Sequence, residues 1–584
     1  MRSKDNFVNL YVLYSMSPNG TYSREQKKAI GSFYTPPIVA DFLAQLVSSL
    51  IPSDGIISCL DPAVGDGVLL HSLLRFLPQE RIQSLSGVDI DKKAISAVVN
   101  SFSSCECNTY FKETDALKPL GAKTCSVGWK KLCSKVDSAG FDVIVCNPPW
   151  GADLSQYHNL GDSFSNAVGQ FDIYDLFIEL IVNRLNDGGV YGLIVPDSIF
   201  SKEHLRTRQL LLEETCISHI VKLGESFFPD VNSSVTIIIG RKQIHQDGCV
   251  RCTHISPNQR RAILSNETCL IDIESNNHID VPQEYMISRG WEMVTDTTKE
   301  DIDLLARLDL LPKIKSVSSS RRGVELSKRG LIWCCPKCHK WSPIPPSNRN
   351  AHCSLCDNDY ITGQLNIEQI VVSSDEKLPN SVPITIGEDI HRYSLKESRR
   401  IVLGYSGINY KEADCFKGEK IVVRKTGVGI SAAIDYDGHY TNQVVYILKT
   451  NDEKSTPAEL LMAVINSRVI TYYLMKSKSV NQWQTHPYLT QDDLGGLPFP
   501  NLEPYNKSDL VEKIKEIKRL VRILQNNEKK VSFNKADAKL ERLVAELFKI
   551  NENDYQLIYK ALQSAQQMIP FRCLLDIDAN AIWR

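Results

Sequence analysis

Two stretches of the chain combine residue types suited to holding a flat, nitrogen-bearing ligand. After the apolar run Ile56–Leu60 comes Asp61-Pro62-Ala63-Val64-Gly65-Asp66-Gly67. Two glycines at a strand-to-helix turn let the backbone approach a ligand closely, at the carboxyl edge of a sheet. The dinucleotide fingerprint needs three glycines in another arrangement and a phosphate loop needs Gly-Lys-Ser/Thr, so neither phosphate reading fits. The next apolar run ends at Asp89, where a carboxylate can accept hydrogen bonds from ribose hydroxyls; the alternative for Asp89 is the cap of a helix over Lys92–Val99. Together the turn and the acid describe a pocket for a nucleoside. Asp115 stands where the base of such a ligand would end, with a simple cap as its alternative.

The second stretch is Asn147-Pro148-Pro149-Trp150, reached directly from the apolar run Phe141–Cys146. Two prolines stop the strand and stiffen the turn. An amide and a carbonyl are thereby held beside an aromatic ring, which suits an amino group lying in a plane. A third constellation, Cys335-Pro336-Lys337-Cys338 and Cys353-Ser354-Leu355-Cys356, consists of two CxxC knuckles fourteen residues apart. That spacing predicts a structural zinc ribbon of four thiolates, with no coordination position left for catalysis. Cys334 reads as a bystander, and Cys249 with Cys252 lacks a second pair. Between Leu311 and Asn350 nine Lys or Arg face one acid, Glu325, an asymmetry expected of phosphate contacts; a solvated basic loop is the alternative.

These residues need elements to position them. Strand-like runs at Ile56–Leu60, Leu85–Asp89, Phe141–Cys146, Val190–Val195, Ile217–Leu223 and Val235–Ile239 alternate with helical spacing, as in Val68–Leu77, Asp175–Leu185 and Leu205–Glu214. The alternation predicts an α/β domain over residues 1–243 with a doubly wound, mostly parallel sheet. Its last two runs are joined by a loop, which predicts an antiparallel pair at that end. Residues 244–504 read as a mixed, strand-rich domain without long helices, containing the ribbon at 331–360. Residues 505–584 read as helical, with Leu510, Ile514, Ile517, Val521 and Leu524 on one face behind a Ser508-Asp509 start signal; the expected form is a helix hairpin packed on its own protein.

Composition bounds the rest. The chain has 584 residues, 42% hydrophobic and 23% charged, with a formal charge of −2, so it is globular and not basic overall. The seventeen cysteines are scattered, many in apolar runs, which reads as buried free thiols. No apolar run reaches the roughly eighteen residues of a membrane span, and MRSKDNFVNL lacks the order of a secretory signal. A cytoplasmic location is the expectation.

In their order along the chain, these motifs resemble the N6-adenine DNA methyltransferases of the gamma class, the TaqI-like group that uses S-adenosylmethionine. Phe33-Tyr34-Thr35-Pro36-Pro37 resembles the segment that closes over the methionine part of the cofactor, Asp61–Gly67 the glycine-rich turn, Asp89 the ribose carboxylate and Asp115 the residue touching the cofactor's adenine. Phe177, within Asp172–Phe177, resembles the aromatic lining the adenine pocket. Asn147–Trp150 resembles the catalytic motif, with Trp150 where Tyr or Phe is commoner. Phe227-Phe228-Pro229 resembles the motif whose Phe stacks on the target base. The resemblance implies a Rossmann-like S-adenosylmethionine-dependent methyltransferase domain followed by a strand-rich target-recognition domain. Gly387–Tyr393, Ile421–Thr426 and Leu460–Tyr473 are looser matches to the latter.

The implied chemistry asks chiefly for alignment. N–H groups of an adenine amine would bond to the Asn147 oxygen and the Pro148 carbonyl. A base must leave the duplex to get there, and Trp150 and Phe228 would replace its stacking at about 1–3 kcal/mol per base. Gly151 to Gln170, polar and rich in small residues, reads as a mobile loop beside the site or an ordinary surface loop. The implied partners are double-stranded DNA and a separate nuclease or defence subunit. About thirty residues precede Phe33 and no Asp…Glu-x-Lys site is evident, so a fused nuclease is not expected. Two other readings stay open: a methyltransferase acting on RNA or a protein glutamine, and a DNA-recognition subunit of a methyltransferase pair. The roughly 340 residues after the first domain favour DNA.

Overall fold

A computed structural model describes residues 35–583 apart from 135–139, 152, 156, 158–159, 162, 229–232, 244–247, 346–349, 362, 364, 377, 397–398, 428, 478–488, 527–529 and 565–571. The chain divides into two units, 1–299 and 300–584. Among the described residues the first is built on nine strands: β1 (Ile57–Asp61), β2 (Ile82–Asp89), β3 (Asn108–Glu113), β4 (Phe141–Cys146), β5 (Leu185–Pro196), β6 (Cys216–Gly224), β7 (Val235–Arg241), β8 (Cys249–His254) and β9 (His278–Pro282). Their order is β3-β2-β1-β4-β5-β7-β6-β8-β9. Strands β1 to β5 are parallel. β7 runs antiparallel between β5 and β6, as the loop connection predicted. The order reverses between β1 and β4, so the crevice beyond the carboxyl ends of these two strands is the place for a ligand in such a sheet.

Burial on both faces explains why the central strands are nearly continuous apolar runs: all five residues of β1 are buried. β3 is an edge strand with no buried residue, which is why no apolar run announces it. β5 begins five residues before its apolar run, at Leu185, because Leu185 pairs with Phe141 and the Gly188 N–H donates to the Lys242 carbonyl. The Asp142 carboxylate ties the starts of three strands, accepting from the Ser58 N–H and hydroxyl and from the Asn186 amide. The sheet also continues past residue 243 through β8 and β9, whose short runs alternate with polar residues, so the expected domain boundary falls inside the first unit.

Helices α1 (Pro37–Leu50), α2 (Val68–Phe76), α3 (Lys92–Ser101), α4 (Cys125–Cys133), α5 (Ile173–Arg184) and α6 (Leu205–Glu214) cover the sheet. α1 starts with proline, tolerated in a first turn where its missing N–H is not needed. It lies close on β5 because Gly192 leaves room: a Cβ there would stand 2.8 Å from Leu43 and Val47. That packing sets the position of Thr35, two residues ahead of α1.

In the second unit an antiparallel sheet of Ser318–Arg322, Val445–Thr450, Lys420–Arg424 and Ala432–Asp435 shares its core with helices Lys299–Asp309, Ala458–Ile465 and Arg468–Ser477. The region is thus mixed and strand-rich, with short helices, as expected. Helices Lys507–Asn526 and Lys530–Leu547 belong to the same core. They run antiparallel, since Lys513 pairs with Glu546 and Glu516 with Lys539, and so form the expected hairpin. Its attachment includes a fully buried ionic cluster in which Arg468 meets Asp537 and Glu541. No helix among the described residues is long and apolar enough to cross a membrane.

Candidate active site

The glycine turn follows β1 directly. Gly65 and Gly67 have φ of +51° and +81°, a region L side chains rarely adopt. A Cβ on Gly67 would stand 3.0 Å from the Phe102 ring, whereas one on Gly65 would meet only a carbonyl at 4.0 Å. Gly67 is therefore required by packing, and Gly65 borders open space that a ligand can use. The Asp89 carboxylate accepts from the Gly65 and Asp91 N–H groups, both at 2.9 Å. Asp91, not Asp89, caps α3 by accepting from the Lys93 N–H, so the cap alternative for Asp89 falls to its neighbour.

Three acids crowd this edge. Burial raises the Asp61 carboxyl to about 8, with Asp89 and Asp66 raising it further against the Ala63 N–H that lowers it. Burial likewise raises Asp66 and Asp89. Burial thus disfavours the charged form of all three carboxyls, which a neighbouring cation would favour.

β4 delivers Asn147 beside β1: Cys59 and Leu60 pair with Val143 and Ile144. The Asn147 Nδ2 donates to the Thr35 hydroxyl at 3.0 Å, which puts the amide's acceptor, Oδ1, on the edge away from Thr35. Tyr34, the neighbouring expected cofactor contact, lies outside the described residues. Pro148 is buried and Pro149 half-buried. Trp150 and Phe228 are brought together, centroids 5.7 Å apart and planes at 62°. Edge-to-face contact is a favoured arrangement for two rings, and at this angle a base stacked on one ring would meet the other at its edge. Pro229 lies outside the described residues.

Asp115 lies two residues beyond β3, accepting from the Leu117 N–H at 2.8 Å and from the Tyr157 hydroxyl at 3.2 Å. Phe177 is buried on α5 in the same core as Trp150 and Phe228. Parts of the segment after the tetrapeptide are anchored: the Gly151 N–H bonds Asp172, the Ser165 and Asn166 N–H groups bond Glu179 at 2.7 and 2.9 Å, and Tyr157 is buried. Sequence reasoning missed Asp172, Asp175 and Glu179. The Asp172-x-x-Asp175 spacing ahead of an apolar run resembles a capping box and could have flagged the first two; Tyr157 carries no such signal.

In the second unit the thiols of Cys335, Cys338, Cys353 and Cys356 converge, all within 4.8 Å of one another. The Cys335–Cys356 and Cys338–Cys353 sulfurs are each 3.6 Å apart, close to the edge of about 3.8 Å of a tetrahedron with 2.3 Å metal–sulfur bonds. Burial opposes ionisation of Cys335, but backbone N–H groups of Cys338 and Lys337 and the Tyr360 hydroxyl outweigh it and hold the thiol at about 6. The four can hold a tetrahedral metal. Cys334 is outside the cluster, and Cys249 and Cys252 sit three apart on β8, on opposite faces. The strand Leu331–Cys334 pairs with both Trp341–Pro343 and Asn366–Gln369, so the ribbon's sheet extends beyond residue 360.

Known proteins resemble both units. Residues 83–228 match the model of the Eco57I restriction-modification methylase family and residues 382–499 that of the TaqI-like C-terminal specificity domain. The type II methyltransferase M.BanIII of Aneurinibacillus aneurinilyticus is 26% identical over 47% of this chain and 51% of its own. The type I restriction enzyme EcoEI methylase subunit of Escherichia coli is 26% identical over 34% of this chain and 39% of its own. The chain thus spans about half or less of the length of these relatives. The type IIL restriction-modification enzyme MmeI, solved in complex with DNA, matches in fold with a TM-score of 0.50 at 10% identity, over 94% of this chain and 80% of that one. The first unit is thus a Rossmann-like mixed sheet with a segment similar to the Eco57I restriction-modification methylases, and the second contains a segment similar to the TaqI-like C-terminal specificity domain.

Proposed function

We propose that the protein is a site-specific DNA methyltransferase that modifies N6 of a flipped adenine. The observation that carries this reading is the Asn147 amide at the topological switch point, oriented by Thr35 and adjoining the Trp150–Phe228 pair. S-adenosylmethionine would supply a sulfonium-bound methyl group ready for transfer to an aligned amine. Asp61, Gly65, Gly67 and Asp89 would hold it, Asp89 through the ribose and the raised carboxyls through its positive charge, with Thr35, Asp115 and Phe177 completing the pocket. Oδ1 of Asn147 and the Pro148 carbonyl would accept the two N–H groups of the target amine and draw its nitrogen toward tetrahedral geometry, which frees the lone pair. Pro149 fixes the turn. Trp150 would take the base on its face, with Phe228 at the edge.

Zinc on Cys335, Cys338, Cys353 and Cys356 would fold the ribbon and keep its basic surround ready for phosphates. The second unit would then select the DNA sequence, acting in the cytoplasm alone or with a separate nuclease or defence subunit. Expression followed by modification-sensitive sequencing of host DNA tests the reading: wild type should leave N6-methyladenine at one sequence motif, and Asn147→Ala should leave none. Methylation confined to RNA or protein would reject it.

A further inference from the structure

The exit of the Asn147–Trp150 turn is held by a carboxylate that none of the expected motif roles includes. Gly151, at φ +60°, is itself exposed, yet its N–H lies 3.1 and 3.2 Å from the two oxygens of Asp172. Oδ1 of Asp172 also accepts from the Ile173 N–H at 2.6 Å and caps α5. Behind it, the Asp172 N–H donates to Asp175 at 2.8 Å. The Asp175 carboxylate, 1% exposed, is gripped from α6 by the Thr207 hydroxyl at 2.6 Å and lies 2.7 Å from His204 Nδ1. A chain of hydrogen bonds thus runs from the start of α6 through the first turn of α5 to the residue after Trp150.

We propose that Asp172 is a positioning residue, a latch on the Gly151 amide that fixes the end of the tetrapeptide, with Asp175, Thr207 and His204 fixing the latch. The proposal rests on the methyl-transfer reading of that turn. The physical reason is geometric. Strand β4 anchors the turn at Asn147 and prolines stiffen its middle, but a glycine at positive φ follows Trp150 and would otherwise let the aromatic ring and the Pro148 carbonyl drift relative to the incoming amine. Misplacement by an ångström lowers a rate by about a hundredfold.

Helix capping and latching are separable. Serine caps a helix about as well as aspartate but its hydroxyl does not span to Gly151, whereas asparagine keeps Oδ1 for both N–H groups. Asp172→Ser should therefore keep its cofactor affinity and its KM for DNA, while its single-turnover methyl-transfer rate falls by about 10- to 100-fold. Asp172→Asn should recover most of that rate. Site-resolved amide exchange on the wild-type full chain should find the Gly151 N–H protected in spite of the residue's exposure, with faster exchange in Asp172→Ser. Wild-type rate and exchange in Asp172→Ser would overturn the latch, as would open-loop exchange at Gly151 in the wild type, a result that needs no variant to fold. Absence of any methyl transfer by the wild type would reject the functional reading instead, and the exchange at Gly151 would still decide the latch.

Discussion

Asn147 and Thr35, 112 residues apart in sequence, are joined by a 3.0 Å hydrogen bond from the asparagine Nδ2 to the threonine hydroxyl. One partner leaves a central strand and the other precedes the helix seated on Gly192, so the orientation of a side-chain amide depends on how α1 packs against β5. Thr35→Val keeps the shape and removes the acceptor. The hydrogen bond that orients the amide is worth about 0.5–1.5 kcal/mol, so kcat for methyl transfer should fall by roughly two- to tenfold, with S-adenosylmethionine affinity, measured by calorimetry, changed by much less.

The acids under the glycine turn predict a pH dependence. Burial raises Asp61 to about 8 from an ordinary 3.8, so below that value the group is neutral and does little for a cation. Affinity for S-adenosylmethionine should rise from about pH 6 to pH 8, by at most about tenfold per unit, and level off above. Stability of the unliganded protein runs the other way: the folded carboxyl holds its proton more tightly than the unfolded one, so this group's contribution is complete below pH about 4 and is lost as pH rises through about 8. Asp61→Asn should flatten both trends in calorimetric titrations and thermal melts.

The cysteine cluster predicts one zinc per chain, measurable by elemental analysis. Replacing Cys335 and Cys338 by Ser should release it, weaken DNA binding and make the remaining binding less dependent on salt, because the lost contacts would be to phosphates. Cofactor binding by the first unit should persist; its loss would tie the ribbon to the catalytic fold.

Arg468, Asp537 and Glu541 are each at most 1% exposed. Arg392 also reaches both acids, so Arg468→Ala would leave two buried carboxylates with one guanidinium in place of two, and should lower the unfolding free energy of the second unit in urea titrations by an amount at or below the about 3–5 kcal/mol of a fully broken buried pair. Arg468→Met, which also fills volume, should be the milder change only if the two acids are replaced with it.

Legibility in the sequence followed burial. β4 and α6 lie where their apolar spacing put them, because both are bounded by strong stop signals, Asn147-Pro148 for one and the Thr215–Cys216 strand start for the other. Edge strand β3 and the outer strands β8 and β9 were illegible, since an exposed or alternating strand presents no apolar run. Among site residues, the motif positions were readable because chemistry restricts them. The latch at Asp172, the Tyr157–Asp115 bond and the 62° tilt between Trp150 and Phe228 depend on segments that meet only after folding.

The central claim is the identity of the acceptor atom. Duplex DNA of mixed sequence, incubated with the purified full chain and isotopically labelled S-adenosylmethionine, should on digestion and mass spectrometry of its nucleosides yield labelled N6-methyladenine, and Asn147→Ala should yield none while still binding the cofactor. Label found in methylcytosine, or in no nucleoside although cofactor and DNA both bind, would contradict the account.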